Sequence, residues 1–224
     1  MRAFIPGAMV GVLVGMGLGL WLGSSSLFSF AERDYDAQGE AVYQGRPTSF
    51  WLRQLEDHDL MHRLEAVQAL EKIVPHDPTA VAALGRALKD RDWSVRMGTA
   101  QALRRIGVDA RPALPSLLAA LEDDDQHVRC NVVAALGHLE PPDQATLAAL
   151  TGALEDESAV VRRMALEALG GTGGAAKGSL AAVREALADA DSKVRQAAAE
   201  AVTKIERDQE SRSSQPPPEI GKSI

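Results

Sequence analysis

Apolar residues fall into two unlike patterns along this chain. From Phe4 to Leu22 no residue is charged, and Ile5, Met9, Val10, Val12, Leu13, Val14, Leu18, Leu20, Trp21 and Leu22 dominate. About 19 residues at 1.5 Å each span roughly 28 Å, close to the hydrocarbon thickness of a bilayer. Beyond residue 47 the apolar positions become periodic instead. Leu55, Leu88, Leu121, Leu154 and Leu187 stand 33 residues apart, and so do Ala69, Ala102, Ala135, Ala168 and Ala201. Five copies of one unit follow each other with no insertion or deletion. Within the third, Leu114, Leu117, Leu118 and Leu121 predict a helix over Pro112–Leu121. Val128, Val132, Ala135, Leu136 and Leu139 predict a second over Gln126–Leu139. Each unit is therefore helix, turn, helix, and none can bury its apolar face without its neighbours, so the units must stack into a solenoid.

Polar positions keep the same register. Asp57, Asp90, Asp123, Asp156 and Asp189 recur in the turn, and Arg63, Arg96, Arg129, Arg162 and Arg195 recur six residues later. A pair present in all five units fits a structural ladder, each arginine bonding a turn carboxylate of its own or the adjacent unit. The functional alternative is a charged binding stripe. Acids ahead of a helix N-terminus also cap it and complement its dipole. Prolines at 78, 112 and 115 open first helices, where a missing N–H costs little.

The unit resembles the short HEAT-like repeat of phycobilisome-lyase-type proteins over Pro47–Glu206. The resemblance rests on Ala110-Arg111-Pro112-Ala113-Leu114-Pro115-Ser116-Leu117-Leu118, then Leu121, Asp123, Val128, Arg129, Ala134-Ala135-Leu136 and Gly137. It implies an all-α fold, a right-handed α-solenoid of five 33-residue helix-turn-helix repeats. It also implies that the outward stripe of the second helices lines a concave face. That stripe holds Leu64, Gln68, Glu71; Met97, Gln101, Arg104; Cys130, Ala134, Gly137; Arg163, Glu167, Gly170; and Gln196, Glu200, Thr203. Leu64, Gln68, Met97, Gln101, Arg104 and Cys130 form the candidate partner-binding set, since hot spots combine apolar centres with polar rims and methionine adapts to partners.

Around the array, residues 1–31 read as a membrane signal anchor, with a cleaved signal peptide ending at Ser29-Phe30-Ala31 as the competing reading. Arg2 precedes the apolar run, whereas Glu32, Arg33, Asp34 and Asp36 follow it, which places the repeats outside the cytoplasm. Gly7, Gly11, Gly15, Gly19 and Gly23 share one helix face, where a second helix can approach closely and build a homodimer. Residues 32–46 are expected as a polar spacer, 47–206 as the repeat domain, and 207–224, with three consecutive prolines, as a disordered tail. With the resemblance, this arrangement points to a single-pass protein of a bacterial inner membrane.

Charge and chemistry narrow the function. Net charge is −7, and 20 basic against 28 acidic residues lie between Glu32 and Glu206, so binding to nucleic acid through phosphate neutralisation is disfavoured. Cys130 is the lone cysteine, which precludes an intrachain disulfide, and no His-Asp partner can be assigned to it as a nucleophile. His58 and His62 have the i, i+4 spacing of metal ligands, but His62 replaces the valine of the other units and reads as an incidental polar cap. Iron-dependent hydroxylases built on HEAT-like repeats carry His-Glu dipeptides, and this sequence has none. The run Gly170–Gly174 follows a helix and lacks a Gly-Lys-Ser/Thr ending, and Gly221-Lys222-Ser223 has that ending without the preceding glycine. Neither predicts a phosphate site. No cofactor, metal or catalytic residue is expected. The reading is a membrane-tethered, non-catalytic protein-binding scaffold, and the alternative is a lyase-type enzyme or enzyme partner of the bilin-lyase class.

Overall fold

The computed structural model describes residues 35–213. The apolar run 4–22 and its glycines lie outside the described residues, as do residues 214–224. Among the described residues no helix is both long and apolar enough to cross a membrane.

Five helix pairs make up the array, an all-α solenoid as the periodicity predicts. They are α1 (Thr48–Gln54) with α2 (Leu60–Ile73), α3 (Thr79–Ala87) with α4 (Trp93–Ile106), α5 (Leu114–Ala119) with α6 (Gln126–Gly137), α7 (Gln144–Gly152) with α8 (Ala159–Gly171), and α9 (Leu180–Glu185) with α10 (Ser192–Ser213). Second helices pack on one another in sequence order, α2 on α4, α4 on α6, α6 on α8 and α8 on α10. The core between the two helix layers is a column of leucines and small residues. Leu70, Leu84, Leu103, Leu117, Leu136, Leu150, Leu166 and Leu169 are fully buried, with Ala66, Ala100, Ala102, Ala135 and Ala165 between them. Each such leucine contributes about 1.5–3 kcal/mol on burial. The alanines set how near the helices lie.

The predicted first helices prove shorter than their apolar spacing implies. In the third unit Gly107–Ala113 is a 3-10 helix, α5 covers only Leu114–Ala119, and Ala120–Glu122 is 3-10 again. Pro112 and Pro115 lack the N–H groups that a continuous α-helix needs there. Leucines three apart serve either helix type, so the spacing alone does not separate them.

Both ends of the array differ from expectation. Residues assigned to a spacer are folded from Tyr35 onward. Val42–Tyr43 (β1) pairs antiparallel with Arg46–Pro47 (β2) through a turn in which Gln44 and Gly45 have φ of 51° and 69°. Two positive φ values suit the twist of a tight hairpin. Ala41 is buried in the core, the Trp51 Nε1–H donates to the Tyr43 carbonyl at 3.3 Å, and Arg46 stacks 4.8 Å above the Phe50 ring. This hairpin covers apolar surface that an earlier unit would otherwise cover. At the other end, helix α10 runs on to Ser213, through the first residues assigned to the tail.

Candidate functional site

Four of the five turns are built from an Asp-x-Asp sequence, the fourth reading Asp156-Glu157-Ser158, and the two positions do different work. The first accepts the backbone N–H two residues on at 2.8–2.9 Å, as for Asp57, Asp90, Asp123, Asp156 and Asp189. The second caps the following helix: Asp59, Asp92, Asp125 and Asp191 accept from the N–H of Met61, Ser94, His127 and Lys193 at 2.7–2.9 Å. The fourth unit has Ser158 there with no side-chain cap, because its hydroxyl donates to Gln126 at 2.8 Å.

The repeated arginines cross between units. Arg63, Arg96, Arg129 and Arg162 each fork onto the turn carboxylate of the next unit, Asp90, Asp123, Asp156 and Asp189, with Nε to Oδ2 at 2.6–2.8 Å. Their remaining Nη1 donates to backbone carbonyls of the unit's own turn, such as Asp123 at 2.8 Å for Arg129. One guanidinium thus fixes two turns. Burial would raise the Asp123 and Asp156 carboxyls, but the hydrogen bonds from Arg96 and Arg129 hold both below the ordinary carboxylate range. At Asp189 the Arg162 hydrogen bond is the leading cause of the same lowering. Eight of these ten residues pair across units, and the two at the ends do not. Asp57 lies 3.3 Å from His62 Nδ1, and Arg195 meets only carbonyls.

A second cross-unit pair was not anticipated. Glu71, expected on the outward stripe, is only 9% exposed, and Arg105 grips both its oxygens at 2.9 and 2.6 Å. Burial would raise its carboxyl, yet Arg105 and Lys72 hold it low.

The remaining stripe residues part company. Leu64, Met97 and Cys130 are half-buried and pack against the core, while Gln68 stays exposed and Gln101 is partly covered. Burial pushes the Cys130 thiol up, the wrong direction for a thiolate nucleophile. Gly137 and Gly170 are packing positions: a Cβ on Gly137 would stand 2.8 Å from Ala168 Cβ, and one on Gly170 3.1 Å from Ala201 Cα. The glycine run 170–174 already holds an acid, since Gly174 N–H donates to Asp208 at 2.7 Å.

Of the candidate binding set, Arg104 lines a groove. This groove, of about 830 Å³, crosses the C-terminal parts of α4, α6 and α8. Ala134, Gly137, Met164 and Ala168 form its floor, and Val108, 53% exposed, forms a wall. Arg104, His138, Glu140 and Glu167 stand around it. His138 Nδ1 lies 2.8 Å from the Ala134 carbonyl, which fixes the ring and leaves Nε2 outward. An apolar floor with an arginine and carboxylates at its edge is the composition of a peptide- or protein-binding surface. Sequence reasoning missed Val108, His138, Glu140 and Met164. Met164 is the one large apolar residue in a register otherwise held by Glu65, Gly98, Asn131 and Ala197, which is the signal that would have found it. Among the described residues no three His, Cys, Asp or Glu side chains gather as a metal site.

The family profile for HEAT repeats matches residues 48–125 and 114–203. Among solved structures, the complex of CpcE and CpcF of phycocyanin lyase from Nostoc sp. PCC7120 is 26% identical with a TM-score of 0.60, over 72% of this chain and 66% of that one. A designed armadillo repeat protein in complex with the peptide (KR)4 is 18% identical with a TM-score of 0.53, over 70% and 81%. A mutant of Kap121p is 18% identical with a TM-score of 0.59, over 76% of this chain and 21% of that one. The last two likenesses concern the fold alone. No curated protein matches the chain.

Proposed function

The chain belongs to the HEAT-repeat family, and from that premise we propose that it is a non-catalytic protein-binding scaffold, held at a membrane by residues 4–22. The observation that carries the binding role is the groove over α4, α6 and α8. Its floor offers desolvation and its edge offers Arg104, the residue type most often found at hot spots along with tryptophan and tyrosine. A repeat array supplies such a surface without moving parts, because the ladder and the alanine-spaced helices fix the groove before a partner arrives.

The test is in-cell photocrosslinking from position 108, on the groove wall, against position 86 on the first-helix layer. Crosslinks to one defined protein are expected from 108 and not from 86. In the same cells, Arg104→Glu with Val108→Glu is expected to cut capture of that protein at least tenfold with unchanged helicity, whereas Arg86→Glu with Lys89→Glu leaves it intact. Loss in the second pair alone would put the working face on the other layer.

A lyase-type role is the second reading, favoured by the likeness to the phycocyanin lyase complex. Purified chain mixed with a linear tetrapyrrole separates the two. A new visible band that survives gel filtration supports the lyase reading, and a colourless protein fraction supports the scaffold.

A further inference from the structure

The two ends of the array finish differently. At the N-terminal end the β1–β2 hairpin and Trp51 close the first unit. At the C-terminal end, positions that earlier units cover more fully are left more exposed. Val67, Ala100, Val133 and Leu166 are buried, but Ala199, in the same register, is exposed. Leu70, Leu103, Leu136 and Leu169 are buried, but Val202 is only half-buried. In the Leu55, Leu88, Leu121 and Leu154 register one is buried and three are half-buried, while Leu187 is 43% exposed. The ladder is open here too. The four earlier arginines each take a carboxylate 27 residues on, whereas the residue 27 beyond Arg195 is Lys222. Arg195 donates to its own turn at Asp189 and Ala190 and makes no ion pair among the described residues.

Arg195, Ala199, Val202 and Glu206 are spaced four, three and four along α10, a single stripe beside the core face of Val194, Ala198, Ala201 and Ile205. This stripe is complementary to itself. Laid antiparallel about the midpoint of Glu200 and Ala201, it sets Ala199 against the second copy's Val202 and Arg195 against the second copy's Glu206. Small meets β-branched, and cation meets anion. Glu206 is held within the chain only by exposed Arg184, a pairing weak enough to be shared. We propose that the C-terminal end is a twofold interface with a second copy of this chain, α10 against α10, which supplies the covering layer and the missing carboxylate of the last unit. An isologous contact of this kind closes on itself and stops at two copies. Head-to-tail stacking onto Asp57, the other unmatched ladder residue, would instead run on, and His62 already occupies that carboxylate.

Charge exchange on the full chain in detergent, read by sedimentation, tests this directly. The native chain is expected to be a dimer. Arg195→Glu and Glu206→Arg, each alone, are expected to weaken self-association at least tenfold, and the double variant Arg195→Glu with Glu206→Arg to restore it, since both cross-pairs are then reversed together. Thermal melts of each variant separate lost association from lost folding, and rescue by the double variant is not a result that mere misfolding gives. In a Cys130→Ser background, Ala199→Cys chains mixed with Val202→Cys chains are expected to form disulfide-linked dimers. A monomeric native chain, a dimer indifferent to the single exchanges, association that depends on Asp57, or a dimer lost in Gly11→Ile with Gly15→Ile and untouched by Arg195→Glu would each overturn the proposal.

Discussion

Arg129 has more to lose than any surface arginine. It is buried, forks onto Asp156, donates to the Asp123 and Asp124 carbonyls, and reaches Glu157 at 3.0 Å. Removing it leaves a largely covered carboxylate with only the Ser158 N–H, and two turn carbonyls without this donor, so Arg129→Ala is expected to cost about 3 kcal/mol in urea unfolding. Arg195→Ala, which removes only exposed hydrogen bonds, is expected to cost no more than about 1 kcal/mol in the same measurement with the chain kept monomeric. The ladder also sets an acid limit. The Asp123, Asp156 and Asp189 carboxyls are lower in the folded chain than the ordinary value near 3.9, so their stabilisation is complete above about pH 4. It is lost as pH falls through the lowered folded values. Urea midpoints followed from pH 7 to 2.5 are therefore expected to be flat at first and to drop below about pH 4, with a shallower drop in Arg129→Ala.

At the scale of helices, two glycines of similar appearance in sequence have opposite roles. A Cβ added to Gly98, inside α4, would meet nothing nearer than Leu64 Cδ2 at 3.7 Å, so Gly98→Ala is expected to stabilise by about 0.5–1 kcal/mol through helix propensity. Gly137→Ala would drive α6 into Ala168 of α8 and is expected to destabilise by about 1–3 kcal/mol; paired thermal melts decide both. The element pattern itself was largely legible, because a 33-residue repeat fixes pairing, order and the buried alanines at once. Three things were not. The 3-10 breaks around α5 keep the same leucine spacing as an α-helix. The hairpin uses strands of two residues, too short for alternation to show, with Gly45 as its one local signal. Glu71 looked like a surface residue because charge alone does not reveal an arginine 34 positions away. The groove was legible in part: Arg104, Ala134, Gly137 and Glu167 lie on the outward stripe, whereas Val108, His138 and Glu140 fall at or beyond helix ends, where helical spacing places nothing.

At the scale of the whole molecule, the array and the apolar run from Phe4 to Leu22 have separate tasks. If that run anchors the chain, full-length protein is expected in the membrane pellet after carbonate washing, and a soluble form beginning at Glu32 would establish cleavage instead. Within the array the arginine rungs carry a further consequence for synthesis. Every rung joins a residue to one made 27 positions later, so a repeat leaving the ribosome or a translocation channel holds its own turn before it can grip the next. The nascent chain always carries one unfinished rung at its leading edge, a cation waiting for its acid. Maturation is thereby given a direction, each of the first four repeats being locked by the birth of its successor.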